Sequence, residues 1–128
     1  MEIKNGYLIK VGNFLDGLKL PAQVSRARTK LVNKLQKDIY ELSEDEKEIV
    51  RNHNGVISES DGVITWQNDN DKILYIKEKN EMMEESVDVT IDNVTLFEKF
   101  KEYMENWNEE VSGEEAAAYD ILCEALGI

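Results

Sequence analysis

From Pro21 to Leu42 the chain repeats apolar side chains at steps of three and four: Val24, Ala27, Leu31, Leu35, Ile39 and Leu42. That spacing matches the 3.6-residue period of an α-helix and lays one apolar stripe along one flank. Pro21 suits the first turn of such a helix, where its missing N–H costs nothing. An amphipathic rod of this length must bury its apolar flank, so other elements of the chain have to cover it.

The covering elements are sought in the second half. Thr95-x-x-Glu98 is a capping box, and after it Leu96, Phe97, Phe100, Tyr103, Met104, Trp107 and Val111 mark one amphipathic helix. Ser112-x-x-Glu115 opens a last helix with Ala118, Ile121, Leu122 and Ala125 inward, stopped by Gly127. The long helix is expected to pack on this pair.

The remaining segments are shorter. Asn5-Gly6 between two apolar-rich runs predicts an N-terminal hairpin with a type I′ turn. Residues 11–20 read as a short helix or an irregular link. Ser43-x-x-Glu46 predicts a separate second helix, closed by His53-Asn54-Gly55 with the glycine in a left-handed cap. Strands are expected near 56–58 and 62–67, with a polar turn at 68–71. Residues 72–86 begin as either strand or helix and end as helix, with Met82 and Met83 inward. Residues 87–92 alternate apolar and acidic side chains, the period of a half-buried strand. The fold class is α+β, mainly helical, in a single domain spanning 1–128.

Charge divides the chain. The net is -12, yet residues 25–37 hold five basic residues and no acid. Residues 1–42 carry eight Lys or Arg against four Asp or Glu, and residues 43–128 carry seven against 23. On a helical wheel Arg26, Lys30, Lys34 and Lys37 fall within a sector of roughly 80°, away from the apolar stripe. They are the candidate partner-binding residues, a strip for an acidic partner or for phosphates; the alternative is an ordinary solvated face. No aromatic residues interleave with the strip, and the acidic overall field opposes nucleic acid, so nucleic acid is not the expected partner. Arg28 lies instead on the apolar side. A guanidinium there needs a partner, and a structural ion pair with an acid of the C-terminal half is expected, against an anionic ligand as the alternative. Runs such as "SEDEKE" and "ENWNEEVSGEE" could imitate a phosphate backbone, or simply confer solubility.

Residues for catalysis do not assemble in the sequence. His53 is the only histidine and Cys123 the only cysteine. One of each cannot close a zinc site, and neither has an assignable catalytic companion. His53 is read as structural and Cys123 as a small buried side chain. Asp69 and Asp71 lack the glycine and terminal glutamate of a calcium loop. Glu81, Glu84 and Glu85 are read as an exposed helix face. No phosphate-binding glycine motif is present. No catalytic residues, metal or cofactor are therefore assigned, and enzyme activity is not expected. The single cysteine fits a reducing compartment, and no run of about 20 apolar residues is present; a soluble protein without membrane association is the expectation.

Three stretches carry a resemblance: "LKLPAQVSRARTKLVNKL", "YIKEKNEMMEE" and "SGEEAAAYDILCE". Together, in this order, they resemble a family of small uncharacterised proteins from phages and prophages of low-GC Gram-positive bacteria. The most specific parts are Ser25-Arg26-x-Arg28 and Gly113-x-Glu115-Ala116…Tyr119-Asp120…Cys123-Glu124. Residues 52–72 lie outside the resemblance. It implies a viral origin and a host-cytoplasmic setting, and it supplies no activity, cofactor or catalytic residue. The expected function is that of a phage accessory protein binding a host or virion protein. A homodimer joining basic to acidic faces fits the same charge split. The alternative is a nucleic-acid-related role, by binding through residues 26–37 or by acidic mimicry.

Overall fold

The long rod forms and is longer than its predicted span. In the computed structural model, which describes residues 1–128, one helix runs without a break over Ala22–Asn52. No glycine or proline interrupts those 31 residues, and the inward register continues past Leu42 through Glu46 to Ile49 and Val50. The predicted start at Ser43 is therefore not a boundary: Ser43 is an exposed interior residue, and Glu44 pairs with Lys47 along the same helix at 3.1 Å. A capping box starts a helix only where the preceding backbone leaves helical geometry, and here it does not.

In chain order the elements are β1 (Glu2–Lys4), a 3-10 turn (Asn5–Tyr7), α1 (Leu8–Gly17), α2 (Ala22–Asn52), β2 (Val56–Ile57) and β3 (Ile64–Thr65). They continue with α3 (Asp69–Glu84), β4 (Ser86–Asp88), α4 (Val94–Glu105) and α5 (Gly113–Leu126). The architecture is mainly helical α+β, with two small antiparallel sheets and two C-terminal helices. The N-terminal half of α2 packs on α1 and α4, and α5 packs on α1. No helix is long and apolar enough to cross a membrane.

The N-terminal hairpin does not form. β1 pairs instead with β4, more than 80 residues away, in the register Glu2↔Asp88, Ile3↔Val87, Lys4↔Ser86. Asn5 serves the end of α3 rather than a turn. Its N–H donates to the Glu85 carbonyl at 2.8 Å, and its side-chain amide donates to the Met82 carbonyl at 2.9 Å. Satisfying the free carbonyls of a helix end outweighs a local turn preference. The predicted strands at 56–58 and 62–67 do meet, as the β2–β3 hairpin with Ile57 opposite Ile64. The ambiguous segment is helical from Asp69. The Asn68 side chain accepts from the Asn70 N–H at 2.8 Å, and Asp69 and Asp71 favour the positive helix end. What read as a polar turn is thus the cap and first turn of α3.

Two apolar clusters result. The larger joins seventeen buried residues from β1, α1, the first half of α2, the segment after β4 (Val89 and Ile91), α4 and α5, with Phe100, Leu31, Leu35 and Leu122 fully enclosed. The smaller has four, Ile49, Val50, Tyr75 and Met82, with Trp66, Ile57 and Ile64 packed against it. α2 spans both, roughly 46 Å at 1.5 Å per residue. It ends in a Schellman motif: the Gly55 N–H reaches the Val50 carbonyl at 2.9 Å and the Asn54 N–H reaches that of Arg51 at 3.1 Å. The left-handed residue is Asn54, at φ 63°, not the glycine as expected. Gly55 is needed for another reason. A Cβ there would lie 2.6 Å from Val50 Cγ1 and 2.8 Å from the Trp66 ring.

Candidate functional site

Only three of the four strip residues remain uncommitted. Arg26, Lys30 and Lys37 are exposed and lie on one sector of α2. Lys34 is half-buried and its ammonium donates to Asp38 Oδ1 at 3.0 Å. Asp38 is a residue that the sequence reading passed over. Its side chain is 5% exposed, and its second carboxylate oxygen has no hydrogen-bond partner. A buried carboxylate with one cation is costly to isolate, so Lys34 is a structural counter-ion rather than a docking residue. The signal was legible: Asp38 stands in the apolar register between Leu35 and Leu42.

Arg28 also differs from expectation. No carboxylate pairs with it. Its guanidinium donates to the backbone carbonyls of Leu15 at 2.9 Å, Leu18 at 2.6 Å and Asp16 at 3.5 Å. These carbonyls lie at the end of α1, where the negative end of the helix dipole suits a cation as a carboxylate would, and the one of Leu15 also accepts the Leu18 N–H at 3.2 Å. Arg28 therefore fastens the α1–α2 connection.

That connection forms one wall of a cleft of about 600 Å³. α1 supplies Lys10 and Phe14, its exit supplies Leu18 and Lys19, and the other wall comes from residues 103–118. The predicted helix through Val111 stops at Glu105, capped at its start by Asn93 rather than Thr95. Trp107 is consequently released from helical register and turns edge-on to Phe14, with ring centroids 5.9 Å apart at 88°. Tyr119 of α5 tilts against both, at 5.2 Å from Trp107 and 6.2 Å from Phe14. This packing holds Trp107 against the body of the protein while it lines the cleft. Gly113, left-handed at φ 57°, turns the chain into α5 and sets Glu114 and Glu115 at the cleft mouth beside Glu109 and Glu110. The four glutamates are exposed, and neither they nor Lys10 and Lys19 make an ion pair.

A second polar array joins α2 to α3. Tyr75 donates to Glu46 at 2.8 Å, and Lys79 reaches the same oxygen at 3.0 Å. Burial pushes Glu46 up, but the hydrogen bonds from Tyr75 and Lys79 more than offset it and hold the carboxyl below its ordinary range. Burial, then the bond to Glu46, raises Tyr75; the bond to Glu46 raises Lys79. His53 Nε2 lies 2.6 Å from Glu78 in the same seam, a tie between helices. These groups interlock with one another, and Glu78 also borders a shallow acidic groove of about 390 Å³ between α2 and α3. Cys123 is half-buried on α5. Asp69 and Asp71 belong to the first turn of α3, and Glu84 pairs with Lys4 at 2.7 Å. No three His, Cys, Asp or Glu side chains converge as a metal site would need.

No family model matches the chain, and neither a curated protein nor a solved structure matches it.

Proposed function

We propose that the chain is a phage- or prophage-encoded accessory protein that acts by binding another protein, from the host or from the virion. The phage setting rests on the resemblance carried by residues 18–35, 75–85 and 112–124. The binding role rests on one observation above all: the cleft between α1 and α5 combines an ordered aromatic surface with unpaired charges. Such a surface, apolar rings bordered by charges free to pair, suits recognition of another protein. Tagged protein expressed in an infected host is expected to retain a specific protein partner, lost when Trp107→Ala or Glu114→Lys with Glu115→Lys is introduced. Retention of nothing beyond a charge-matched control sinks the reading.

A second reading draws on the shared sector of Arg26, Lys30 and Lys37. Phosphate contacts there make nucleic-acid binding steeply salt-dependent. A shift of DNA or RNA at moderate salt, abolished by Arg26→Glu with Lys30→Glu, selects that reading over the first.

A further inference from the structure

We infer that the α1–α5 cleft is a docking site for a basic, partly apolar segment of a partner protein, with an arginine or lysine side chain laid against the Trp107 face and ringed by glutamates. The inference rests on the protein-binding reading and names the chemistry of the partner.

The sign of the ligand follows from the lining. Glu109, Glu110, Glu114 and Glu115 face two amines, Lys10 and Lys19, so the cleft has an excess of negative charge. None of the six is spent on an ion pair, so no internal partner must be displaced. A cation brought to an indole or phenyl ring is attracted by the negative face of the π-system, and Trp is the strongest such ring. Trp107 is fixed for this by Phe14 and Tyr119, so little ordering is needed on binding. The net charge of -12 draws basic segments toward the surface and repels acidic ones.

A protein segment fits better than a small cation. Leu18, Tyr103 and Val111 lie among the charged groups, so the lining offers apolar as well as ionic contacts. A single ammonium would leave that apolar surface wet, whereas a chain bearing both basic and aliphatic side chains covers it. The two lysines set a further requirement: the segment should avoid an uninterrupted run of cations, because Lys10 and Lys19 repel those at one side.

The test uses the full chain with Trp66→Phe, which leaves Trp107 as the only tryptophan. The probe is a ten-residue peptide alternating arginine and leucine; the comparisons are the same peptide with glutamate for arginine, and arginine amide alone. Saturable change in Trp107 emission is expected for the arginine–leucine peptide only. Glu114→Lys with Glu115→Lys, both exposed, is expected to weaken it by about tenfold or more. Glu81→Lys with Glu98→Lys makes the same change in net charge away from the cleft and is expected to leave affinity within about twofold. Equal weakening by both pairs, or no response from Trp107, overturns the site. Equal saturation by arginine amide makes it a small-cation site and overturns the peptide assignment. A Trp107 signal that depends on protein concentration without peptide, with a dimer in sedimentation, makes a second copy the occupant and likewise overturns it. The broader reading fails separately. A partner captured from the host that still binds the glutamate-reversed chain leaves protein binding standing without this cleft. Peptide binding at Trp107 with no captured partner does the reverse.

Discussion

The two ends of α2 are held by different physics. Its first half lies in a cluster of seventeen buried side chains shared with β1, α1, the segment after β4, α4 and α5. Its second half meets α3 and the β2–β3 hairpin over four buried side chains, bordered by the Glu46–Tyr75–Lys79 and His53–Glu78 contacts. Burial dominates the first end. At the second, polar groups share the work, and Ile73, Leu74 and Ile76 stay exposed on α3. Apolar burial is indifferent to pH and scales with area; charged hydrogen bonds are sensitive to both protonation and salt. One continuous helix therefore couples a robust end to a conditional one, and the cleft is built on the robust end. A recognition surface gains from that placement, since rigid side chains lose less entropy on binding.

The contrast can be broken at several points. The largest effect is expected from Phe100→Ala, which opens a cavity at a fully enclosed site in the large cluster. About 3–5 kcal/mol should be lost in urea denaturation, and both ends should unfold together. Lys34→Met probes the charged exception at this end. It strands the buried Asp38 carboxylate and should cost about 1–3 kcal/mol, a value discounted because Lys34 is 37% exposed. Retention of full stability would return Lys34 to the set of free cations. Gly55→Ala tests the smaller end. The added methyl meets a stiff valine and a ring, so about 1–3 kcal/mol of overpacking is expected, seen first as faster amide exchange in β2, β3 and α3.

The smallest effect sharpens the comparison most. Glu46 has a folded-state pKa below its ordinary value of 4.5. Its contribution is therefore complete above that value and is lost as pH falls through the lower, folded one. Lys79 and Tyr75, both raised, contribute fully below their ordinary values near 10 and lose that contribution as pH rises through the folded ones. The opening free energy reported by amide exchange in α3 is expected to fall below pH 4.5 before that of α1 and α5 does. Glu46→Gln should cost about 1 kcal/mol at pH 7 and flatten that acid limb. A Glu46→Gln chain with the unchanged acid limb would assign the pH dependence to other carboxylates.

Much of this was legible before any coordinates. The spacing of Val24 to Leu42 marks the rod, the Leu96–Met104 pattern marks α4, and Ala118, Leu122 and Gly127 mark α5 and its end. The residues of the cleft were legible only as separate facts. Trp107 read as one more inward helix position, and the glutamates read as an acidic surface. Their convergence depends on where α4 stops and how α5 returns, which no local pattern specifies.

By itself the sequence determined the mainly helical α+β class, the apolar flank of α2 and the gathering of Arg26, Lys30 and Lys37 on one sector, because helical periodicity is a local property. Tertiary structure alone decided that β1 pairs with β4, that Arg28 takes α1 carbonyls and that Trp107 faces the cleft. Each of these settles how a polar group or a ring is satisfied by residues distant in the chain. Such partners compete on free energy across the whole fold, and the winner is visible only once the elements have packed.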